Sequence, residues 1–319
     1  MPGYLCPKSA GKGITIYIIG PGTDPHHEEY TQSPGSKRWL YLSENDKSES
    51  DGDRRLGHGT CVQSLVNGPR FGAAKAADIV IVKLPFPANY ITISSAFKLV
   101  AEDIEARNLR GKAVITMSEG YPGIDIYKSK SSGTQVIKQG LFGKVKELRD
   151  YILRLISLDV PLVVSSGNNR QVYKHIDSFP AALGEVIDVI TVGAMEPNGA
   201  RTQYSQGEIN EVTVLAVGQV ECAKKDSTSQ TRQIYGTSFA APRVAGMIAT
   251  WLGSEEYRER LHVKGKVVAN VKNLLKELAY IKMPASKPDG GFLVAYNGFG
   301  KFTCRGYSDP KQAQGRKLC

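Results

Sequence analysis

The run Gly236-Thr237-Ser238-Phe239-Ala240-Ala241-Pro242 and the small, apolar stretch that follows it to Leu252 constrain this chain more than any other segment. Ala240, Ala241, Ala245 and Gly246 give a helix so little bulk that it can run close beneath neighbouring strands, which requires an interior place in a layered fold. Pro242 is read in the first helical turn, where a missing N–H costs nothing. Ser238 then projects its hydroxyl from a rigid platform, and the free N–H groups of the helix start can hold a developing negative charge. Such a serine suits a nucleophile in acyl transfer. The plainer reading is a Gly-Thr-Ser cap on a core helix.

Around this helix the pattern alternates. Residues 14–19, 79–84, 113–117, 161–166, 187–193 and 212–217 are apolar, β-branched runs of strand length. Residues 91–108, 143–158 and 265–279 carry apolar side chains at helical spacing, as at Ile93, Phe97, Val100 and Ile104. Strands alternating with helices of this length predict parallel βαβ units with right-handed crossovers and helices on both faces, and such sheets place their sites at strand C-terminal ends. The chain shows no repeat or linker, so residues 1–319 are expected to form one α/β domain with a polar tail at 301–319.

Two further segments sit among these elements. Gly57-His58-Gly59-Thr60 places an imidazole between glycines just ahead of the apolar Cys61, Val62, Leu65 and Val66. Val163-Val164-Ser165-Ser166-Gly167-Asn168-Asn169 is a buried strand ending in a turn that can aim the Asn168 amide into a cleft. With the serine run they resemble the subtilisin-like serine proteases (subtilases), the fungal secreted branch in particular. The likeness runs from Ile14 to the serine helix and includes Phe71-Gly72-Ala73-Ala74-Lys75-Ala76, Phe179-Pro180-Ala181-Ala182 and Ile190-Thr191-Val192-Gly193-Ala194. It implies a three-layer α/β/α subtilisin-like fold with a mostly parallel twisted sheet, Ser238 as nucleophile, His58 as base and Asn168 as oxyanion donor. It also implies one pocket wall at Ser118-Glu119-Gly120 and the opposite wall at Ser165-Ser166-Gly167. Glu119 stands where the family usually has an apolar residue. It is read either as exposed surface or as a bias of the groove toward Lys- or Arg-containing ligands.

One member of the expected triad is missing. The family's first strand ends in an aspartate that orients the histidine, followed by Ser or Thr and then Gly. Here the strand ends Ile18-Ile19-Gly20-Pro21-Gly22, so Gly20 stands at the acid position. Pro21 departs as well, which points to natural divergence over a designed single change. Sliding Asp24 into register would drive Gly20-Pro21-Gly22 into a central strand, where Pro and Gly are poorly tolerated. Asp24, Glu28, Glu29, Asp51 and Asp53 are near in sequence, but sequence alone does not set any of them against His58. Loss of the acid lowers turnover about 3 × 10⁴-fold in this type of enzyme, against about 2 × 10⁶-fold for the serine or histidine. A weak serine hydrolase working through a Ser–His dyad is therefore expected, and Gly20→Asp, better with Pro21→Thr, is expected to restore activity. The alternatives are a pseudoprotease that binds a peptide or a partner protein without turnover, and acyl or proton-transfer chemistry on a non-peptide metabolite.

Composition narrows the partners. The net charge of +10 is spread along the chain with no aromatic-interleaved basic motif, which argues against nucleic acid as ligand. The apolar stretches are strand-length, which argues against a membrane span. A peptide or protein ligand and a monomer are expected. The opening residues lack a secretory signal pattern, and the chain is read as the mature part of a longer, secreted precursor, with a cytoplasmic stand-alone form as the alternative. Five cysteines permit two disulfides. Cys61 is expected to be the free thiol, and Cys304 with Cys319 to close the tail. No alternating Asp/Asn calcium loop is present, so no metal site or cofactor is expected, although backbone-carbonyl calcium sites leave no sequence trace.

Overall fold

A computed structural model describes residues 10–43, 45, 47–123, 145–282 and 289–298. Its centre is strand β1, Thr15–Gly20, buried along its whole length. Side chains alternate across a strand, so Ile16 and Ile18 join one core and Tyr17 and Ile19 the other. A parallel strand covered on both faces must be apolar at every position, and this one reads accordingly.

In chain order the elements after β1 are α1 (Glu28–Thr31), β2 (Lys37–Tyr41), α2 (His58–Asn67), β3 (Asp78–Lys83) and α3 (Tyr90–Ala106). Then come β4 (Ala113–Met117), β5 (Tyr121–Pro122), α4 (Lys146–Ser157), β6 (Leu162–Ser165), β7 (Ser178–Phe179), β8 (Val189–Met195) and β9 (Val214–Val217). The hairpin β10 (Gln219–Ala223) and β11 (Thr231–Tyr235) precedes α5 (Thr237–Leu252), α6 (Arg258–Leu261), α7 (Val267–Leu278), β12 (Tyr280–Ile281) and β13 (Leu293–Val294). Among the described residues the main sheet has the order β12-β13-β9-β8-β6-β4-β1-β3-β2. It is parallel except for the antiparallel pair β12–β13 at one edge. Helices α2, α5 and α7 cover one face through the first core, and α3 and α4 cover the other through the second. This is the expected three-layer α/β/α arrangement.

The buried strands and amphipathic helices fall within a few residues of their expected spans. β2 and the β10–β11 hairpin were not expected. β2 is a partly exposed edge strand that carries Lys37 and Arg38, and the hairpin alternates polar residues, so neither shows an apolar run. The small-residue reading of α5 holds: a Cβ on Gly246 would lie 2.8 Å from Ala73 Cβ and 3.1 Å from Val66 O. The reading of Pro242 does not, since it lies inside the helix, in the second turn.

Cys61 is not a free thiol. It forms a disulfide with Cys222, 161 residues later, and both are fully buried where α2 meets β10. The expectation erred because a thiol on a buried helix packs like any small hydrophobe, and the partner sits on a strand with no apolar signature. Cys304 and Cys319 lie outside the described residues. Closing so long a loop restricts the unfolded chain strongly. Cys222→Ser is expected to cost about 2–5 kcal/mol of stability, read as a lower denaturation midpoint against wild type without reductant. Equal midpoints would mean the bridge adds nothing to the folded state.

Candidate active site

His58 is the first residue of α2, and its position is fixed by crowding. Gly57 caps the helix at φ +60°, a left-handed conformation that glycine adopts without cost. A Cβ on Gly59 would lie 1.9 Å from Gly22 O, so the helix start is pressed onto the loop leaving β1. The free N–H groups there are met by carboxylates. Asp53 accepts from the amides of Arg55, Leu56 and His58, and Asp51 from the amide and hydroxyl of Thr60. Burial would push Asp53 up, but those amides outweigh it and hold the carboxyl below its ordinary range. In Asp51 burial dominates and pushes the carboxyl up. Asp24 accepts from the amides of His26 and Asp226, and Glu29 pairs with Arg70. These nearby acids are thus engaged elsewhere.

The carboxylate that reaches the imidazole is Glu119, just past the end of β4. Its Oε1 lies 3.1 Å from His58 Nδ1, with both side chains 16% exposed. The contact is close but not a well-aligned hydrogen bond, and it is an ion pair when the ring is protonated. Burial alone would push His58 down; Glu119, helped by the charges of Asp51 and Asp53, outweighs it and holds the imidazole above its ordinary value. Glu119 is therefore not free surface, which corrects one of the two sequence readings.

Ser238 stands at the second residue of α5 and is 8% exposed. Because Pro242 has no N–H, the helix leaves Ser238 O without its i+4 donor. The Ser118 hydroxyl supplies one at 2.7 Å, and Ser238 Oγ donates back to Ser118 O at 3.1 Å. Ser238 is thereby clamped to the end of β4. The Phe239 ring on the same helix lies 5.5 Å from the His58 ring, centroid to centroid.

Asn168 is exposed, and its orientation is determined. The backbone N–H and the hydroxyl of Thr237 both donate to Oδ1, at 2.9 and 3.0 Å. A backbone N–H needs an acceptor, so the amide oxygen must face Thr237 and Nδ2 must face the other way. Thr237 Oγ1 also accepts from Gly167 N at 3.2 Å, which fixes the turn that carries Asn168.

Ser238, Asn168 and Glu119 border a cleft of about 520 Å³ among the described residues, whose lining does not include His58. Ser118, Glu119, Gly120, Ser165 and Gly167 line it, together with Asn168 and Ser238. Ser166 does not: it is fully buried. Phe179 and Ala181, from a segment that carried the resemblance, also line it, and so do Tyr173 and Asp177, which carried no sequence signal strong enough to single them out. Gly20 ends β1 beneath Glu119. Among the described residues no three His, Cys, Asp or Glu side chains converge as a metal site would need.

Comparison with known proteins agrees with this geometry. The cuticle-degrading serine protease of Arthrobotrys oligospora is 27% identical over 288 residues, covering 85% of this chain and 62% of the relative. Alkaline protease 1 of Aspergillus flavus is 29% identical over 299 residues, covering 92% and 64%. The chain thus spans somewhat under two thirds of the length of these relatives. A crystal structure of a cold adapted subtilisin-like serine proteinase superposes with a TM-score of 0.65 at 23% identity over 90% of each chain, which establishes the common fold. Residues 11–292 match the profile of the subtilase family, Peptidase_S8, and on that match the chain belongs to the subtilases.

Proposed function

We propose that this protein is a serine endopeptidase of subtilase type that cleaves peptide or protein substrates with Ser238 as nucleophile, His58 as base and Asn168 as oxyanion donor. The observation that carries this reading is the anchoring of Asn168. Thr237 holds its oxygen, so its N–H₂ points outward beside the helix start that carries Ser238. Nothing in the packing of the turn needs that outward donor, whereas a tetrahedral oxyanion does.

In this reading the cycle runs as follows. Ser238 Oγ turns from Ser118 O, attacks the substrate carbonyl carbon, and passes its proton to His58 Nε2. The oxyanion accepts from Asn168 Nδ2 and from Ser238 N–H, which as a helix-start amide has no intrahelical acceptor. The imidazolium returns the proton to the leaving amine as the C–N bond breaks. Water then repeats the sequence on the acyl-enzyme and releases the acid and Ser238. Gly20 supplies no carboxylate for this cycle, and a Ser–His pair alone would run about 3 × 10⁴-fold below an intact triad. The pseudoprotease reading rests on that absence alone and gains no support from the intact Asn168 anchor.

The buried Cys61–Cys222 bridge supports folding in an oxidising compartment and hence secretion. A fluorophosphonate probe is expected to label wild type at Ser238, with casein hydrolysis lost in proportion to labelling. Folded protein that neither labels nor cleaves would favour the pseudoprotease.

A further inference from the structure

We propose that the acid missing from β1 has been replaced from the segment that follows the neighbouring strand, with Glu119 as the positioning residue that orients His58. This rests on the hydrolase reading above and says how the Ser238–His58 pair keeps its efficiency.

The space is the first argument. A Cβ placed on Gly20 would stand 3.2 Å from Glu119 Oε2, 3.5 Å from Oε1 and 3.7 Å from Cδ. The Glu119 carboxylate thus fills the volume above Gly20 into which an aspartate at that position would project. Glycine at 20 and glutamate at 119 are two halves of one exchange.

Register explains why the substitute is a glutamate. β1 and β4 are adjacent and parallel, with Ile19 paired to Met117. Gly20 is then level with Ser118, about 4.8 Å away across the sheet, and Glu119 is one residue further along. A carboxylate starting from the next strand must lean back across that spacing, and the extra methylene of glutamate over aspartate provides the reach.

Energetics supplies the third argument. Both Glu119 oxygens are buried, and among the described residues neither has a well-formed hydrogen bond. A buried carboxylate costs several kcal/mol unless an opposite charge faces it. The group that faces it is His58 Nδ1, at 3.1 Å. A proton kept on Nδ1 leaves the Nε2 lone pair free to accept a proton, and an imidazolium formed there is stabilised by the adjacent charge. A merely structural pair would be better served by apolar residues of the same volume.

The other charges around His58 come from the segment before α2 and the loop after β10. They are Asp51, Asp53 and Lys225, whose Cβ sits 2.4 Å from where a Gly57 Cβ would be and whose Nζ lies 3.5 Å from Asp53 O. All three persist in a Glu119→Gln variant, so the difference from wild type reads Glu119.

The test compares wild type, Glu119→Gln, Gly20→Asp and the double variant, each checked for a cooperative unfolding transition. Turnover of a chromogenic peptide and the NMR titration of the His58 ring are measured, the ring assigned by its loss in His58→Ala. Glu119→Gln is expected to lower kcat about 10³–10⁴-fold with little change in KM. The acid limb of the kcat/KM profile and the His58 titration should both move to lower pH, because burial then acts on the imidazole with less opposition. Gly20→Asp alone should gain nothing, since it sets a second carboxylate against Glu119. The double variant returns the acid to β1 and should recover at least about tenfold over Glu119→Gln. If Glu119→Gln does not fold, Glu119→Asp should show an intermediate loss, its carboxylate drawn back from Nδ1. A Glu119→Gln protein with unchanged turnover and an unchanged His58 titration overturns the proposal, as does a folded double variant that recovers nothing. A wild type without Ser238-dependent turnover overturns the hydrolase reading instead; the titration still reads the His58–Glu119 pair.

Discussion

Ser238→Ala is expected to remove about 10⁶-fold of kcat toward peptides, with His58→Ala costing about as much and the two together no more. The non-additivity follows from the division of labour. His58 accelerates nothing unless a hydroxyl hands it a proton, and the hydroxyl is a poor nucleophile unless that proton leaves. Neither change should empty the cleft, because the walls at Ser118–Gly120, Ser165 and Gly167 stay in place. KM for a peptide should therefore move little while kcat collapses, and what remains measures oxyanion stabilisation and binding alone. Ser238→Ala also removes the donor to Ser118 O but leaves the reverse bond from Ser118 to the Ser238 carbonyl, so the helix should keep its place and its thermal midpoint. Initial-rate kinetics on purified variants suffice. An alanine variant with wild-type kcat would locate the chemistry at another nucleophile.

Asn168→Ala is expected to lower kcat by about 10²–10³-fold, equivalent to about 2.7–4 kcal/mol of barrier. Its amide has two jobs, since the oxygen ties down Thr237 while the nitrogen faces the cleft. Alanine removes both, so a second variant separates them. Asn168→Asp keeps an acceptor for Thr237 but turns a carboxylate toward the developing oxyanion, and should be slower still than alanine because like charges then meet at the tetrahedral centre. Reversal of that order, with aspartate close to wild type, would assign Asn168 an anchoring role only. The two variants differ most in kcat, which keeps the comparison apart from substrate binding.

The scaffold was legible in the sequence because burial leaves its mark there. β1, β3, β4 and β6 are covered on both faces and must be apolar at each position, and α5 must be small where Gly246 meets Ala73. The three groups proposed for the hydrolytic cycle stood out for a related reason: His58, Asn168 and Ser238 each sit in a short local pattern whose glycines and small residues serve the immediate neighbourhood. The His58–Glu119 contact left no such mark, because it joins two residues 61 positions apart across a strand boundary. A signal was present and split: a glycine at the strand-end position of β1, and an acid where an apolar residue is usual after β4. Only the pairing of Ile19 with Met117 brings the two together. Cys61 failed for the same reason, since its partner lies on a polar hairpin strand that no periodicity announced.

Pro242 has a consequence for how this enzyme can change over time. By withholding one N–H it hands the placement of Ser238 to a hydroxyl on another strand. Ser118 thus anchors Ser238, the proposed nucleophile, Glu119 meets His58, the proposed base, and Gly120 belongs to the wall of the cleft. Three consecutive residues join functions that a protein can otherwise alter one at a time. A shift in the length of that short segment would displace all of them in a single event, so substrate preference here has to drift by substitution on the surrounding walls, at positions such as Tyr173 or Asp177, while the tripeptide stays fixed in register.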